Sequence, residues 1–305
     1  MSKTEQIAAK DTADTRKWYA TLNLEFRRSG AETVLADNTH RGPLRVQRTF
    51  KESDGSQHVY ILHPPGGYVA GDVIDIHILN QDQCHVVATS PSASKFYRCL
   101  DTAPQQHQTI HLRSEDNSLL EWLPQETIFF RGANAKLQTT IELSRTASFI
   151  GWEVCCLGRT ASGESFDTGQ LTQTLTLQCE GELLHRERFS ICPADPLHVQ
   201  AWGLGTNPVF GTLIARLTSD NFRKEGSTQF AIEDELQQMV AALKAQFAPD
   251  HKDSNWSMTT KNGIVLLRYL GNNSEYCKAG FSRARQLLLK QLKSIEPVAP
   301  RIWAT

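Results

Sequence analysis

Apolar residues recur at every second position through most of this chain, and that period admits few architectures. Leu22, Leu24 and Phe26 alternate with polar residues, as do Ile74, Ile76 and Ile78. The spacing returns at Leu137, Thr139, Ile141 and Leu143, and at Ile150, Trp152, Val154 and Cys156. Leu171 to Cys179 and Val209 to Leu217 repeat it. Successive side chains of a strand point to opposite faces, so such runs mark strands with one buried face. Turn signals separate them: Ser29-Gly30, Asp54-Gly55, Arg131-Gly132-Ala133 and Glu180-Gly181. Asn262-Gly263 between Ser257-Met-Thr-Thr and Ile264-Val-Leu-Leu is a strong hairpin signal. The pattern predicts a mainly β fold of many short strands. No fixed-period repeat is visible, so periodicity alone does not argue for a regular solenoid.

Two segments near the C-terminus change period. Over about 229–247, Ile232, Leu236, Met239, Val240, Leu243 and Phe247 share one helical face, with Glu233, Asp234 and Glu235 early in the run. Over about 275–293, Cys277, Phe281, Ala284, Leu288 and Leu292 form a stripe, and Arg283, Arg285 and Lys290 are expected opposite it. Both read as amphipathic helices packed on their own core. Residues 1–15 read as a flexible tail, and 16–305 as a single domain long enough to bury a core.

Lysine plus arginine number 32 and aspartate plus glutamate 33, a formal charge of -1. That balance argues against binding nucleic acid or a membrane surface through bulk charge. No apolar run reaches the ~18 residues that a spanning helix needs, and the polar start has no signal-peptide core. A cytoplasmic protein is expected. Seven scattered cysteines without a C-x-x-C pair fit reduced thiols. Cys155 and Cys156 sit side by side in a strand, point to opposite faces and make a poor chelate.

His63-Pro64-Pro65-Gly66-Gly67-Tyr-Val-Ala-Gly71-Asp72 joins two strand-like runs. It is not a phosphate cradle: its glycines match no nucleotide motif, and a strand rather than a helix follows. The loop is expected to fix a bend, with Asp72 capping the turn's own amides or serving as a polar station. There is no nucleophile elbow, zincin motif or Walker lysine. Glu121, in Leu-Leu-Glu-Trp-Leu-Pro, and Glu153, in Gly-Trp-Glu-Val, are the carboxylates set in apolar strands. Each is either a solvated acid or a buried one that needs a partner. Asp75 and His77 share a strand face, as metal ligands or as a solvated pair.

Six motifs in order carry a resemblance. Gly42-Pro-Leu-Arg-Val-Gln-Arg48 precedes the His63–Asp72 loop, and Ser90-Pro-x-Ala-x-Lys-Phe-Tyr-Arg98 follows it. Then come Leu120-Glu-Trp-Leu-Pro-Gln-Glu-Thr-Ile128, Gly151-Trp-Glu-x-x-Cys-Leu-Gly-Arg159 and Pro300-Arg-Ile-Trp-Ala-Thr305. From about residue 18 to the end the chain resembles the urease accessory protein UreD (UreH) family, with Ala70 and Ser92 where that pattern has glycine. The resemblance implies a β-helical fold of many strands with two helices. It implies a non-enzymatic scaffold for nickel insertion into apo-urease, with no permanent cofactor and nickel in transit. The implied partners are the urease apoprotein, UreF and, through UreF, the GTPase UreG; a homodimer within the accessory complex is also compatible. A conduit should offer sparse, weak stations, since a Cys/His cage would retain nickel and invite copper. Asp72, Glu121 and Glu153 are the candidate stations, and Arg301, Ile302 and Trp303 a candidate docking element. Two alternatives stand beside this: a carbohydrate-active β-helix hydrolase using Glu121 and Glu153, and a scaffold that handles no nickel.

Overall fold

Alternation becomes strands, and the strands wind. A computed structural model describes residues 18–100, 102–218, 234, 237–238, 240–242 and 255–304. The chain enters as β1 (Tyr19–Ser29), β2 (Glu32–Arg41), β3 (Arg45–Lys51) and β4 (Gln57–Leu62). One coil follows as β5 (Val73–Asn80), β6 (His85–Thr89) and β7 (Ser94–Phe96), and another as β8 (Gln106–Ser114), β9 (Leu119–Leu123) and β10 (Thr127–Phe129). The next has β11 (Asn134–Leu143), the long β12 (Ser148–Arg159) and the short β13 (Glu164–Ser165). The chain closes with β14 (Gln170–Cys179), β15 (Glu182–Ile191), β16 (Val209–Arg216), β17 (Asn255–Lys261) and β18 (Ile264–Gly271).

One seven-stranded sheet has the order β15-β14-β11-β8-β5-β1-β2, and its five inner strands are parallel. The facing sheet runs β17-β18-β16-β12-β9-β6-β4-β3, with β4, β6, β9 and β12 parallel. A third, narrow side is made by β7, β10 and the end of β12, also parallel. This is a β-helical winding with antiparallel strands at its ends, and the mainly β expectation holds. Asn262 and Gly263 both take positive φ in the β17–β18 turn, as a two-residue hairpin requires.

Between the sheets lies a core that includes Leu22, Ile76, Leu112, Phe149 and Leu177. A second core fills the outer face of the second sheet, where Ile150, Trp152, Val154 and Leu213 meet Cys277, Phe281 and Leu288. Those last three belong to the helix Ser274–Lys293, within about a residue of the expected span. Asn273 caps it by accepting the Tyr276 N–H at 2.8 Å. Arg285 is not on the solvated face as expected: it lies four residues after Phe281, on the buried stripe, and is 2 % exposed. The expected tail at 1–15 lies outside the described residues, as does most of the expected helix at 229–247. Within that span the described residues 234, 237–238 and 240–242 are helical. Among the described residues no helix is long and apolar enough to cross a membrane.

Candidate functional site

The His63–Asp72 loop is the third side of its own coil. Tyr68 pairs with Phe96 of β7, and its ring stacks on Phe96 at 4.1 Å; Phe96 stacks in turn on Phe129 of β10 at 5.2 Å. Gly67 must be glycine for this approach. A Cβ there would lie 2.5 Å from the Tyr97 ring and 2.8 Å from the Lys95 carbonyl oxygen. Gly66 and Gly71 take φ of 76° and 83° on either side. Asp72 is buried and caps the loop, accepting the Val69 N–H at 2.8 Å and the Trp18 N–H at 3.3 Å. Pro64 and Pro65 are exposed, while His63 and Gly66 line a cavity.

Glu121 and Glu153 separate by face. Glu121 is in register with Ile150, three residues before Glu153, so the two acids point to opposite sides of the sheet. Glu121 faces the helix and is fully buried. Its carboxylate accepts from Arg285 Nε at 2.5 Å and Nη2 at 3.1 Å, and His85 Nε2 lies 2.8 Å away. Burial alone would raise its pKa. The Arg285 charge and the His85 and Arg285 hydrogen bonds outweigh that and hold it down at about 2. Glu121 and Glu153 therefore do not face each other across an open groove, and the hydrolase alternative that used this pair falls.

Glu153 faces inward, into a polar rank that crosses the core. In the second sheet Glu153, Thr212 and Arg268 are register neighbours on β12, β16 and β18. In the first sheet Thr139, Leu175 and Glu187 are neighbours on β11, β14 and β15. The two rows meet. Thr139 Oγ1 donates to Glu153 at 2.5 Å, and Gln173 donates to its other oxygen. Thr212 Oγ1 donates to Glu187 at 3.1 Å, and Arg268 Nη2 pairs with Glu187 at 2.5 Å. Burial pushes the Glu153 pKa up, and the Glu187 charge adds to this. Burial also favours neutral Glu187, but the neighbouring His185 ring, the Arg268 guanidinium with its charge and the Thr212 hydroxyl hold its pKa down.

Glu153 lies deep in the fold, and the surface it retains faces a cavity. That cavity reaches the exterior at the exposed Ser92, and its space together with the open mouth amounts to about 830 Å³. A second, much smaller pocket continues toward Phe189, Phe210 and Glu187; Glu153 and Gln173 line both. Asp72 and Glu121 line neither. Cys155 is on the wall of the larger one and donates to Gln173 at 3.4 Å, while Cys156 packs toward the helix. Burial raises both thiol pKa values, Cys156 to about 12. On the outer face of the first sheet, Asp75 accepts from Tyr19 Oη at 2.8 Å and His77 stacks on His111. Among the described residues no three His, Cys, Asp or Glu side chains are grouped to hold a metal.

The segment Arg301–Ala304 forms a 3-10 turn against the chain's own sheet. Trp303 Nε1 donates to Thr89 Oγ1 at 3.1 Å and its ring lies 5.7 Å from that of Trp152. Arg301 Nε pairs with Glu52 at 2.9 Å, and Ile302 is half-buried between them in sequence.

The sequence has relatives that match it along nearly all of its length. Residues 19–304 match the family model described as UreD urease accessory protein. The chain is 38 % identical over 296 residues to the urease accessory protein UreD of Hahella chejuensis, covering 95 % of this chain and 91 % of the relative. It is 36 % identical over 306 residues to the protein of the same name from Saccharophagus degradans, covering 100 % and 99 %. The Pseudoalteromonas translucida counterpart is 37 % identical over 296 residues, covering 95 % and 92 %.

Proposed function

The chain belongs to the UreD urease accessory protein family, a family of accessory proteins rather than enzymes, and from that membership we propose a non-enzymatic scaffold that passes nickel toward apo-urease during urease maturation. Its partners in this reading are the urease apoprotein, UreF and, through UreF, UreG, with two copies of the chain in the assembled complex. The observation that carries the nickel step is Glu153, a carboxylate set in an internal cavity where Thr139 and Gln173 orient it. Carboxylate oxygens suit a passing divalent ion. Among the described residues Glu153 belongs to no group of three His, Cys, Asp or Glu side chains, and so sparse a site holds nickel weakly, which favours transfer over storage. Asp72 and Glu121 are engaged elsewhere, by loop amides and by Arg285, so the proposed station narrows to Glu153.

Deleting the chain from a urease-encoding operon is expected to leave assembled but nickel-poor, inactive urease, measured as metal per subunit by atomic absorption. Full nickel content after deletion overturns the scaffold. With the scaffold retained, Glu153→Gln is expected to lower nickel incorporation by about tenfold, the size of effect seen when a metal's immediate surroundings are altered. Unchanged incorporation favours a scaffold that handles no nickel. Affinity capture of the tagged chain from cells co-expressing urease subunits, UreF and UreG tests the partners; recovery without UreF overturns that part.

A further inference from the structure

The polar rank ends at Arg268, a residue that neither the motifs nor the cavity lining single out. Its guanidinium sits where the β15 edge of one sheet faces β18 of the other, 2.5 Å from Glu187. The two partners differ in exposure: the Arg268 side chain is 41 % exposed and that of Glu187 12 %. Behind them the smaller cavity holds Glu153 and Glu187 on a common wall with Thr212. Phe189 and Phe210, with centroids 5.3 Å apart, flank it with apolar surface. Along this edge the polar path from Glu153 runs past Thr212 to Glu187, and Arg268 covers its end.

We propose that Arg268 is a positioning residue at the outlet of the passage, masking Glu187 until a cation arrives to replace it. The proposal rests on Glu153 as the cargo station. A half-buried carboxylate stripped of its guanidinium is left uncompensated, which is costly. A divalent cation moving along from Glu153 removes that cost, because it supplies the charge that Arg268 withdraws. Arg268, being partly in water already, rehydrates as it swings outward. One positive group thus exchanges for another on Glu187, and the outlet opens only when cargo is behind it. Thr212 Oγ1, which donates to Glu187 at 3.1 Å, holds the carboxylate in place through the exchange.

The test uses the full chain loaded with NiCl2, with release followed by an excess of a chromogenic nickel chelator. Arg268→Ala and the uncharged, similarly long Arg268→Met are expected to release nickel about tenfold faster, the lower end of the rate effects that local charge exerts. Arg268→Lys restores a cation and is expected to release at the wild-type rate. Equilibrium nickel affinity, read by calorimetry, is expected to change far less than the rate in all three. A packing role for Arg268 would move the melting temperature without that split between rate and affinity or the lysine rescue. Glu153→Gln serves as the arm for the underlying reading and is expected to bind nickel weakly. If Glu153→Gln binds as the wild type does, the cargo path itself fails. If Glu153→Gln loses binding while both uncharged Arg268 variants release at the wild-type rate, the outlet proposal is overturned and the cargo path stands.

Discussion

Glu121 and Glu153 are the same residue type on neighbouring strands, and their surroundings push them apart. Glu121 has a guanidinium at 2.5 Å, whereas Glu153 has only neutral donors and another acid beyond them. Opposite stability behaviour follows. The Glu121 carboxylate has a depressed pKa, so its contribution is complete above the ordinary glutamate range. It is lost as pH falls from about 4.5 toward about 2, a span worth on the order of 3 kcal/mol. Glu121→Gln is expected to flatten that acid limb in urea titrations. It should also cost about 3–5 kcal/mol at neutral pH, because Arg285 stays buried without its partner. Glu153 has a raised pKa, so its contribution is complete at low pH and is lost as pH rises through the raised value. Glu153→Gln is therefore expected to melt at a higher temperature than the wild type at neutral pH while transferring less nickel, and a lower melting temperature would contradict the assigned burial. Both acids were visible in the sequence as charges in apolar strands, but the parity that puts them on opposite faces depends on which strands pair. Glu187 was missed, although the same signal marks it: it lies in phase with Phe189 and Ile191, inward-facing positions of β15. Arg285 was misplaced because a charged residue on a helix is assigned to solvent until a buried partner is known.

Elements were the most legible scale, because one period reports one buried face. The runs at Leu22, Ile74, Leu137, Ile150, Leu171 and Val209 all became strands, and the stripe from Cys277 to Leu292 became a helix. The helix start also carries a checkable local cause. Asn273→Ala removes the side-chain acceptor of the Tyr276 N–H and is expected to cost about 1 kcal/mol, read as a lower denaturation midpoint. The His63–Asp72 segment was legible as a demanding bend, but not as a wall of the coil, because its one bridging residue, Tyr68, shows no alternation around it. Gly67 is the position that decides whether that wall closes. Gly67→Ala meets the Lys95 carbonyl, which belongs to a neighbouring strand and has little freedom to retreat. A loss of about 1–3 kcal/mol is expected, as for other overpacked sites. Wild-type stability in this variant would mean that the Tyr68–Phe96–Phe129 stack tolerates separation.

At the scale of the molecule the winding was not legible from periodicity, and the register explains why. Tyr19 pairs with Val73, Val73 with His107, His107 with Lys136 and Lys136 with Thr172, at unequal intervals along the chain. A solenoid whose coils differ in length leaves no fixed period to find, so the resemblance, not the spacing, carried that expectation. The C-terminal return closes this winding. After the helix the chain crosses to β3 and β4, where the Val298 N–H donates to Asp54 at 2.8 Å, Arg301 pairs with Glu52 and Trp303 covers Trp152. The first strands of the fold are thereby tied to its last residues. If this tie is structural, Trp303→Ala should lower the unfolding free energy by about 2–3 kcal/mol, from lost apolar burial and the lost bond to Thr89. If the segment serves instead as a docking element, unfolding should be unchanged while capture of the urease subunits is lost. Packing on both sides of Trp303, against Trp152 and Thr89, favours the first outcome. Denaturation of Trp303→Ala alongside affinity capture with the same variant separates the two, since a destabilised but capture-competent protein assigns the C-terminus to the fold.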